Sequence, residues 1–552
     1  MATILRETTI HRRRDRLNAI GDGLGLGNAY EATLERIRAQ EEEKAKLAMA
    51  TLMWVCHAER PLRVDELCHA LGVEIGSTHF NNDNVPATET LLACCQGLIT
   101  LDKEASTFRL MHHTLREYLC DHRSLFPHAQ SVMAETCLTY LNSDQSKALP
   151  VKPQPDLSSM PFLKYCSRHW GTHARRELSD RARSLAMELL YQYENHVTAK
   201  SLPEQIWDPY GPFKVNAPPL FTGLHCASFF GIVDIMNDLL RMSDGDVNRG
   251  DSAGIAPLAW AARGGQEQSV ELLLGLEAID PNKLDNDGNT PLWWAAANGH
   301  RSVAKQLLER GNANPNKPNN KGHTPLFGAA AEGHESVVKL LLDQKDVDPD
   351  KPSNEGYTPL YVAAHNGHES VVKLLLDQKD VDPDKPDNKG YTPLSVAAHN
   401  GHESVVKLLL DRKDVDPDKP SNKGYTPLSV AALNGHESVV KLLLDQKDVD
   451  PDKPSNEGYT PLFVAAQNGH ESVVKLLLDR KDVDPDRPDS NGRTPLSWAA
   501  TKGHQSVVKL FLDREDINAS GPDKNGHTPL WYASTRGHEG AANLLRAWKS
   551  SP

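Results

Sequence analysis

From residue 222 to the C-terminal end, apolar positions follow one phrase that returns every 34 residues. In the copy around residue 358, Val371, Val372, Leu374, Leu375 and Leu376 form an apolar run too broad for a helix standing alone. Ahead of it, Thr358-Pro359-Leu360 and the small pair Ala363-Ala364 make a second, shorter apolar face. A threonine hydroxyl caps a helix N-terminus and proline suits the first helical position. Asn366-Gly367 then stops that helix, because glycine accepts left-handed backbone. Glu369 opens the second helix, where a negative charge is favourable. The pattern predicts two short helices followed by a proline-stiffened hairpin finger over 377–390. The anchor recurs at Thr222, Ala256, Thr290, Thr324, Thr358, Thr392, Thr426, Thr460, Thr494 and Thr528. Helices apolar on so many sides need neighbours before and after, so the copies are expected to stack and to bind macromolecules along an extended surface.

The phrase Gly-x-Thr-Pro-Leu-x-x-Ala-Ala-x-x-Gly-His-x-x-Val-Val-x-Leu-Leu-Leu stands at Gly356–Leu376, Gly390–Leu410, Gly424–Leu444 and Gly458–Leu478. It resembles the ankyrin repeat. Thr222 to Ala227, with His225 after Leu224, is a degenerate first copy. The resemblance implies a mainly α protein with an ankyrin-repeat solenoid of ten units over 220–549. The period departs from the family's, which is about 33 residues. The usual Gly-Ala-Asp-Val-Asn after the second helix is replaced by Lys379 to Pro386, with two prolines. The divergent first two copies and the more polar ending Leu544 to Lys549 have the character of end caps.

The region before the repeats has a different pattern. Residues 30–57, 65–71 and 91–95 read as helices, with glycine stops at Gly72 and Gly97. Residues 98–101 and 107–110 alternate as two strands of a small hairpin, and 113–120 returns to helix. Three helices and a two-stranded wing read as a winged helix. The expected organisation is a basic, flexible N-terminal segment over 1–29, a winged-helix domain over 30–144, a Pro-rich and helical linker over 145–219, and then the repeats. The blocks Leu52–Gly72, Phe108–Leu119, Ala134–Leu141 and Phe162–Gly171 resemble the winged-helix segment that follows the nucleotide-binding NACHT module in fungal receptor-like proteins with ankyrin repeats. Met111-His112-His113 resembles the histidine motif that contacts nucleotide in related immune receptors. No Gly-x-x-x-x-Gly-Lys-Ser/Thr occurs in the sequence, so the residues that cradle a triphosphate are missing. The chain therefore reads as the sensor half of such a receptor, or as a fragment completed by a NACHT-bearing partner chain.

Composition narrows the function. A net charge of -13 argues against nucleic acid and anionic membrane surfaces as general partners. No run of 18 apolar residues and no apolar signal core is present, so no membrane span is expected. All eight cysteines lie at or before Cys226 without a Cys-x-x-Cys pair, which reads as a reduced, cytoplasmic chain. The Asn518-Ala519-Ser520 sequon is expected to be silent there. No nucleophile–base pair has convincing spacing, so the expectation is no enzyme, no catalytic residue and no cofactor.

Cys56-His57 and Cys68-His69 suit no common tetrahedral zinc spacing and read as buried thiols. Asp380, Asp382 and Asp384 lack the turn glycine and distal glutamate of a calcium loop, though repeated acidic fingertips allow a weak cation ladder. Gly21–Gly27 reads as a flexible turn rather than a phosphate loop. His11–Arg16 reads as a solvated helix face. Helix 65–71 carries Asp65 and Glu66, unlike a DNA-recognition helix. The sharper clue is where near-identical copies differ. Three positions after the anchor stand Tyr361, Ser395, Ser429 and Phe463; seven after stand His365, His399, Leu433 and Gln467; three before stand Glu355, Lys389, Lys423 and Glu457. The first two sets lie four apart on one helix face. Together these twelve residues are expected to line a concave groove that binds a protein ligand, while fixed exposed positions such as Glu369 and Lys373 are not. Tyr361, His365, His399 and Phe463 are the foremost surface candidates. Trp294 and Trp498 are expected in the core. The Gln378/Arg412 alternation and the lone Asp387 read as drift.

Overall fold

In the computed structural model the described residues are 24–149, 158–191, 193–198, 220–242 and 246–549. His11–Arg16, residues 21–23 of the glycine-rich turn and the Pro-rich stretch 203–219 lie outside them. The chain forms two compact units, Met1–Ala278 and Ile279–Pro552.

The first unit opens with α1 (Leu24–Arg38) and α2 (Glu42–His57). The sequence pattern suggested one helix over 30–57. The backbone leaves the helical region at Glu41, with ψ of 137°, and Gln40 Nε2 donates to the Cys94 carbonyl at 2.8 Å. Next come α3 (Val64–Leu71), α4 (Thr88–Cys94), β1 (Ile99–Asp102), β2 (Thr107–Leu110) and α5 (His113–Asp121). The wing is antiparallel, with Ile99 opposite Leu110 and Asp102 opposite Thr107. This is the order expected of a winged helix.

Described parts of the span read as a linker belong to the core. They contribute α8 (Leu163–Arg176) and α9 (Asp180–Tyr191), which pack on α6 (Ala129–Asn142); α7 (Asp144–Lys147) lies between. Phe162 and Tyr165 are fully buried against Trp54 of α2, ring centroids 5.5 and 5.9 Å away. Trp170 meets Phe230 of the first repeat at 5.4 Å, and Arg183 forks onto Asp238 with two bonds of 2.7 Å. Rings of this size dominate core energetics. They tie the winged helix, α8, α9 and the first repeat into one body, so contacts thin out after Ala278 rather than at 219.

Ten helix pairs follow the 34-residue period, two in the first unit and eight in the second. In the copy at Thr358 the inner helix is Pro359–Asn366 and the outer helix Glu369–Leu376. Thr358 Oγ1 accepts the Tyr361 N–H at 3.1 Å, as a cap should. Gly367 sits at φ 77°, and a Cβ there would meet the His402 ring at 2.6 Å. That close approach serves a bond between repeats: His402 Nε2 donates to the His365 carbonyl at 2.9 Å, as His368 does to Ala331 and His436 to His399. The fingers are not regular hairpins; among the described residues the paired strands are β1 and β2. Each finger instead holds the one before it. Asn388 donates its backbone N–H to the Glu355 carbonyl and its side chain to the Asn354 carbonyl, both at 3.0 Å, and Asn422 repeats this on Lys389 and Asn388.

Candidate protein-recognition surface

The twelve variable positions separate into two kinds. His365 and His399 are exposed, Leu433 and Gln467 are half-buried, and the fingertip residues Glu355, Lys389, Lys423 and Glu457 are exposed. Tyr361, Ser395, Ser429 and Phe463 are buried, at 6% exposure for Tyr361 and none for the other three. The expectation that these four line an open surface is therefore corrected. One turn into the inner helix, Tyr361 and Phe463 pack beneath the ring of the residue just before the anchor. Tyr357 stacks on Tyr361 at 4.7 Å, Tyr459 on Phe463 at 4.5 Å and His323 on Phe327 at 4.0 Å. Ser395 and Ser429 turn their hydroxyls to Thr392 and Thr426 at 3.1 Å.

That stacking exposes what the comparison of copies missed. Tyr357, Tyr391, Tyr425 and Tyr459 occupy the position before the anchor and are half-buried. They do not vary, so a search for differences among copies passes over them; their chemistry, amphipathic rings at an array surface, was the available signal. Tyr357 and Tyr459 lie over position three of their inner helices, one turn before position seven. In these four copies the fingertip, the half-buried tyrosine and position seven are thus open to solvent. His365 Nδ1 donates to Asn366 Oδ1 at 2.8 Å, whereas His399 Nδ1 accepts from Asn434 Nδ2 at 2.9 Å. Burial, with His365 and His436 nearby, holds His399 below the usual imidazole range.

Asp387 is not drift. Tyr361 Oη donates to Asp387 Oδ2 at 3.0 Å, across the boundary between two repeats. The finger position it occupies follows a rule of buried polar pairing. Asp251 and Asp285 accept from Trp260 and Trp294 Nε1 at 3.0 Å, Asp489 from Trp498 at 3.3 Å and Asp523 from Tyr532 at 2.6 Å. Serine stands at Ser421 and Ser455, where the same place on the inner helix is Val430 and Val464. Trp294 is buried as expected; Trp498 is half-buried, under the Arg493 guanidinium at 4.1 Å. The glutamine-to-arginine alternation also has a use. Gln378 donates to its own helix at Leu374, whereas Arg412 reaches the preceding repeat at the Leu376 carbonyl, 2.9 Å away, and forks onto Asp414.

The acidic fingers hold cations of their own. Lys385 Nζ donates to Asp350 Oδ2 at 2.8 Å, Lys453 to Asp418 at 2.8 Å and Arg487 to Asp452 at 2.9 Å, each from the next repeat. Among the described residues no three His, Cys, Asp or Glu side chains group as a metal would need. His69 Nδ1 lies 3.0 Å from Tyr140 Oη, and Cys56 lies 3.3 Å from Cys120. His112 caps α5, its Nδ1 accepting the Thr114 N–H at 3.3 Å. It also borders a hollow of about 330 Å³ with Trp54, Leu62, Phe108, His113 and Arg116.

The family described as "Ankyrin repeats (3 copies)" matches six overlapping segments, 224–319, 258–353, 311–387, 378–455, 412–489 and 481–551, which together span more than half of the chain. The chain belongs to the ankyrin-repeat family. A second family, "GPI inositol-deacylase, winged helix domain", matches 34–131 of this ankyrin-repeat protein. No curated protein matches it. An ankyrin array is a protein-interaction scaffold, and no helix among the described residues is long and apolar enough to cross a membrane.

Proposed function

We propose that this ankyrin-repeat protein is a non-enzymatic recognition chain. Its repeats grip a protein ligand along the strip of fingertip charges, Tyr357, Tyr391, Tyr425 and Tyr459, and the position-seven residues His365, His399, Leu433 and Gln467. The observation that carries this reading is the tyrosine row: four aromatic side chains 34 residues apart, each half-open to solvent. Tyrosine is among the residues that dominate interface energetics. The winged-helix match and the order of domains support placing the chain as the sensor part of a NACHT-type receptor, in a fungal innate-immunity or self/non-self pathway, and in the cytoplasm. The test is to find the partner by proximity labelling in a fungal cell and to measure its binding to Tyr391→Ala/Tyr425→Ala. A loss of about 2 kcal/mol or more is expected of hot-spot residues. Unchanged affinity, with loss instead on Glu369→Ala/Lys373→Ala, sinks the strip.

A second reading, completion by a NACHT-bearing partner chain, is favoured by one feature of the winged helix. Met111 is 57% exposed and adjoins in sequence His112 and His113 of the hollow that Trp54, Leu62 and Phe108 also line; an open apolar side chain and an apolar-walled recess together make a surface for a partner to cover. Methionine-to-glutamate at Met111 should abolish co-purification with such a chain and leave ligand binding by the repeats unchanged.

A further inference from the structure

Cys56 of α2 and Cys120 of α5 sit on neighbouring helices of the winged helix, 64 residues apart in sequence, and their sulfurs lie 3.3 Å apart. Of the eight cysteines, Cys120 alone is exposed. Arg116 precedes it by one helical turn, and its charge favours the Cys56 thiolate, although burial and then the Cys120 thiol push Cys56 upward more strongly. Exposure opens Cys120 to an oxidant, whereas burial holds Cys56 as the thiol until a partner sulfur is activated beside it. Cys68, Cys94, Cys95, Cys137, Cys166 and Cys226 are all buried.

We propose that Cys56 and Cys120 are a modification site: an oxidisable pair that peroxides convert to a reversible disulfide. Cys120 is the sulfur an oxidant reaches first. Its thiolate attacks hydrogen peroxide, forming an S–O bond as the O–O bond breaks and hydroxide leaves. Cys56 then gives up its proton and attacks the Cys120 sulfur, forming the S–S bond as the S–O bond breaks and a second hydroxide leaves. The hydroxides and released protons make two waters, and the two thiols supply the two electrons that reduce the peroxide. The sulfurs have only to close from 3.3 Å to about 2.05 Å, a rotamer-scale movement. Because Cys56 is held largely as a thiol, ring closure should quicken as pH rises. The bond would pin α5 to α2 beside the hollow lined by Val55, Ala58, His113 and Arg116, and by closing a long loop it would restrict the unfolded chain.

The test uses the full chain, treated with a small excess of hydrogen peroxide and digested without reduction. The expected result is a Cys56–Cys120 cross-linked peptide, a thiol titre lower by two per chain, and a raised melting temperature of the winged-helix transition that dithiothreitol reverses. Cys120→Ser should keep its remaining thiols under the same treatment, and, because the side chain is exposed, should fold. Cys56→Ser should leave Cys120 as a sulfenic acid trapped by dimedone. Cys120 ending in a disulfide between chains, or as sulfinic acid while Cys56 stays free, would overturn the assignment.

Discussion

The two compact units bury short helices by opposite means. In the first, ahead of its two repeats, each contact occurs once. Trp54, Phe162, Tyr165 and Trp170 interlock helices that share no sequence pattern; His173, His196 and His225 are buried in the same unit, and His169 is half-buried. In the second, a few bonds recur in copy after copy: the threonine cap, the histidine tie to the preceding carbonyl, the asparagine link between fingers and the cation–aspartate pair. A once-only core fails as a whole when one ring is removed. A repeated one localises damage, and lets a copy vary wherever its neighbour varies to match.

Deletion separates these behaviours most strongly. Contacts in an array are between neighbours, so removing the whole unit 392–425 should leave a folded second unit by circular dichroism. Removing half of it, 392–408, should abolish the solenoid transition, because unlike helix faces would meet. Equal loss from both deletions would mean that the repeat is not the unit of stability. In the first unit a single truncation should approach that severity. Trp54→Ala is expected to cost about 3–5 kcal/mol, read as an early thermal transition with the solenoid transition unmoved.

Acid should act unequally on the two units. Burial pushes His173 down to about 3, and His169, His196 and His225 down to about 4, from an ordinary 6.5. The unfolded chain therefore binds protons that the folded first unit refuses, and stability is lost as pH falls from 6.5 toward 4. Burial raises Asp350, Asp384, Asp418, Asp452 and Asp486 above the ordinary 3.8. There the folded state binds the proton more tightly, so these groups favour folding as pH falls toward 3.8. His323 and His399 of the second unit are also held down by burial and partly offset this gain, so denaturant melts at pH 7 and pH 4.5 should show the first unit's midpoint falling markedly further than the solenoid's. A parallel fall in both would contradict the assignment of these buried groups.

The smallest effect sharpens the idea of matched variation. Tyr361→Phe leaves the buried Asp387 Oδ2 without its donor, at a cost of about 1–3 kcal/mol. Adding Asp387→Ser, the residue at Ser421 and Ser455, should return most of that loss. Additive costs in the double variant would remove the coupling between these two repeats.

Much of this was legible in the sequence, and where it was not the reasons are physical. The 34-residue phrase carried the helix pairs, the Thr358 cap and the Gly367 stop, because each rests on local backbone chemistry. The wing strands followed from alternation. The break at Gln40–Glu41 did not, since it depends on Cys94, far along the chain. The span after 145 looked like a linker because its prolines are visible in sequence and the seat of Trp170 against Phe230 is not. Among site residues, variation at position three was mistaken for exposure. Tyr361 and Phe463 vary because their packing partners do: Asp387 accepts the Tyr361 hydroxyl, and Trp498 lies edge-on to Phe463 at 5.9 Å. The tyrosine row was overlooked for being constant.

The central claim is that recognition rests on that constant row and not on the buried variable rings. Hydroxyl-radical footprinting of the full chain, alone and with its captured partner, tests it most directly. The account predicts protection of Tyr391, Tyr425 and His399, with the oxidation of outer-helix residues 369–376 unchanged. Protection confined to the outer helices, with Tyr391 and Tyr425 as reactive as in the free chain, would contradict it.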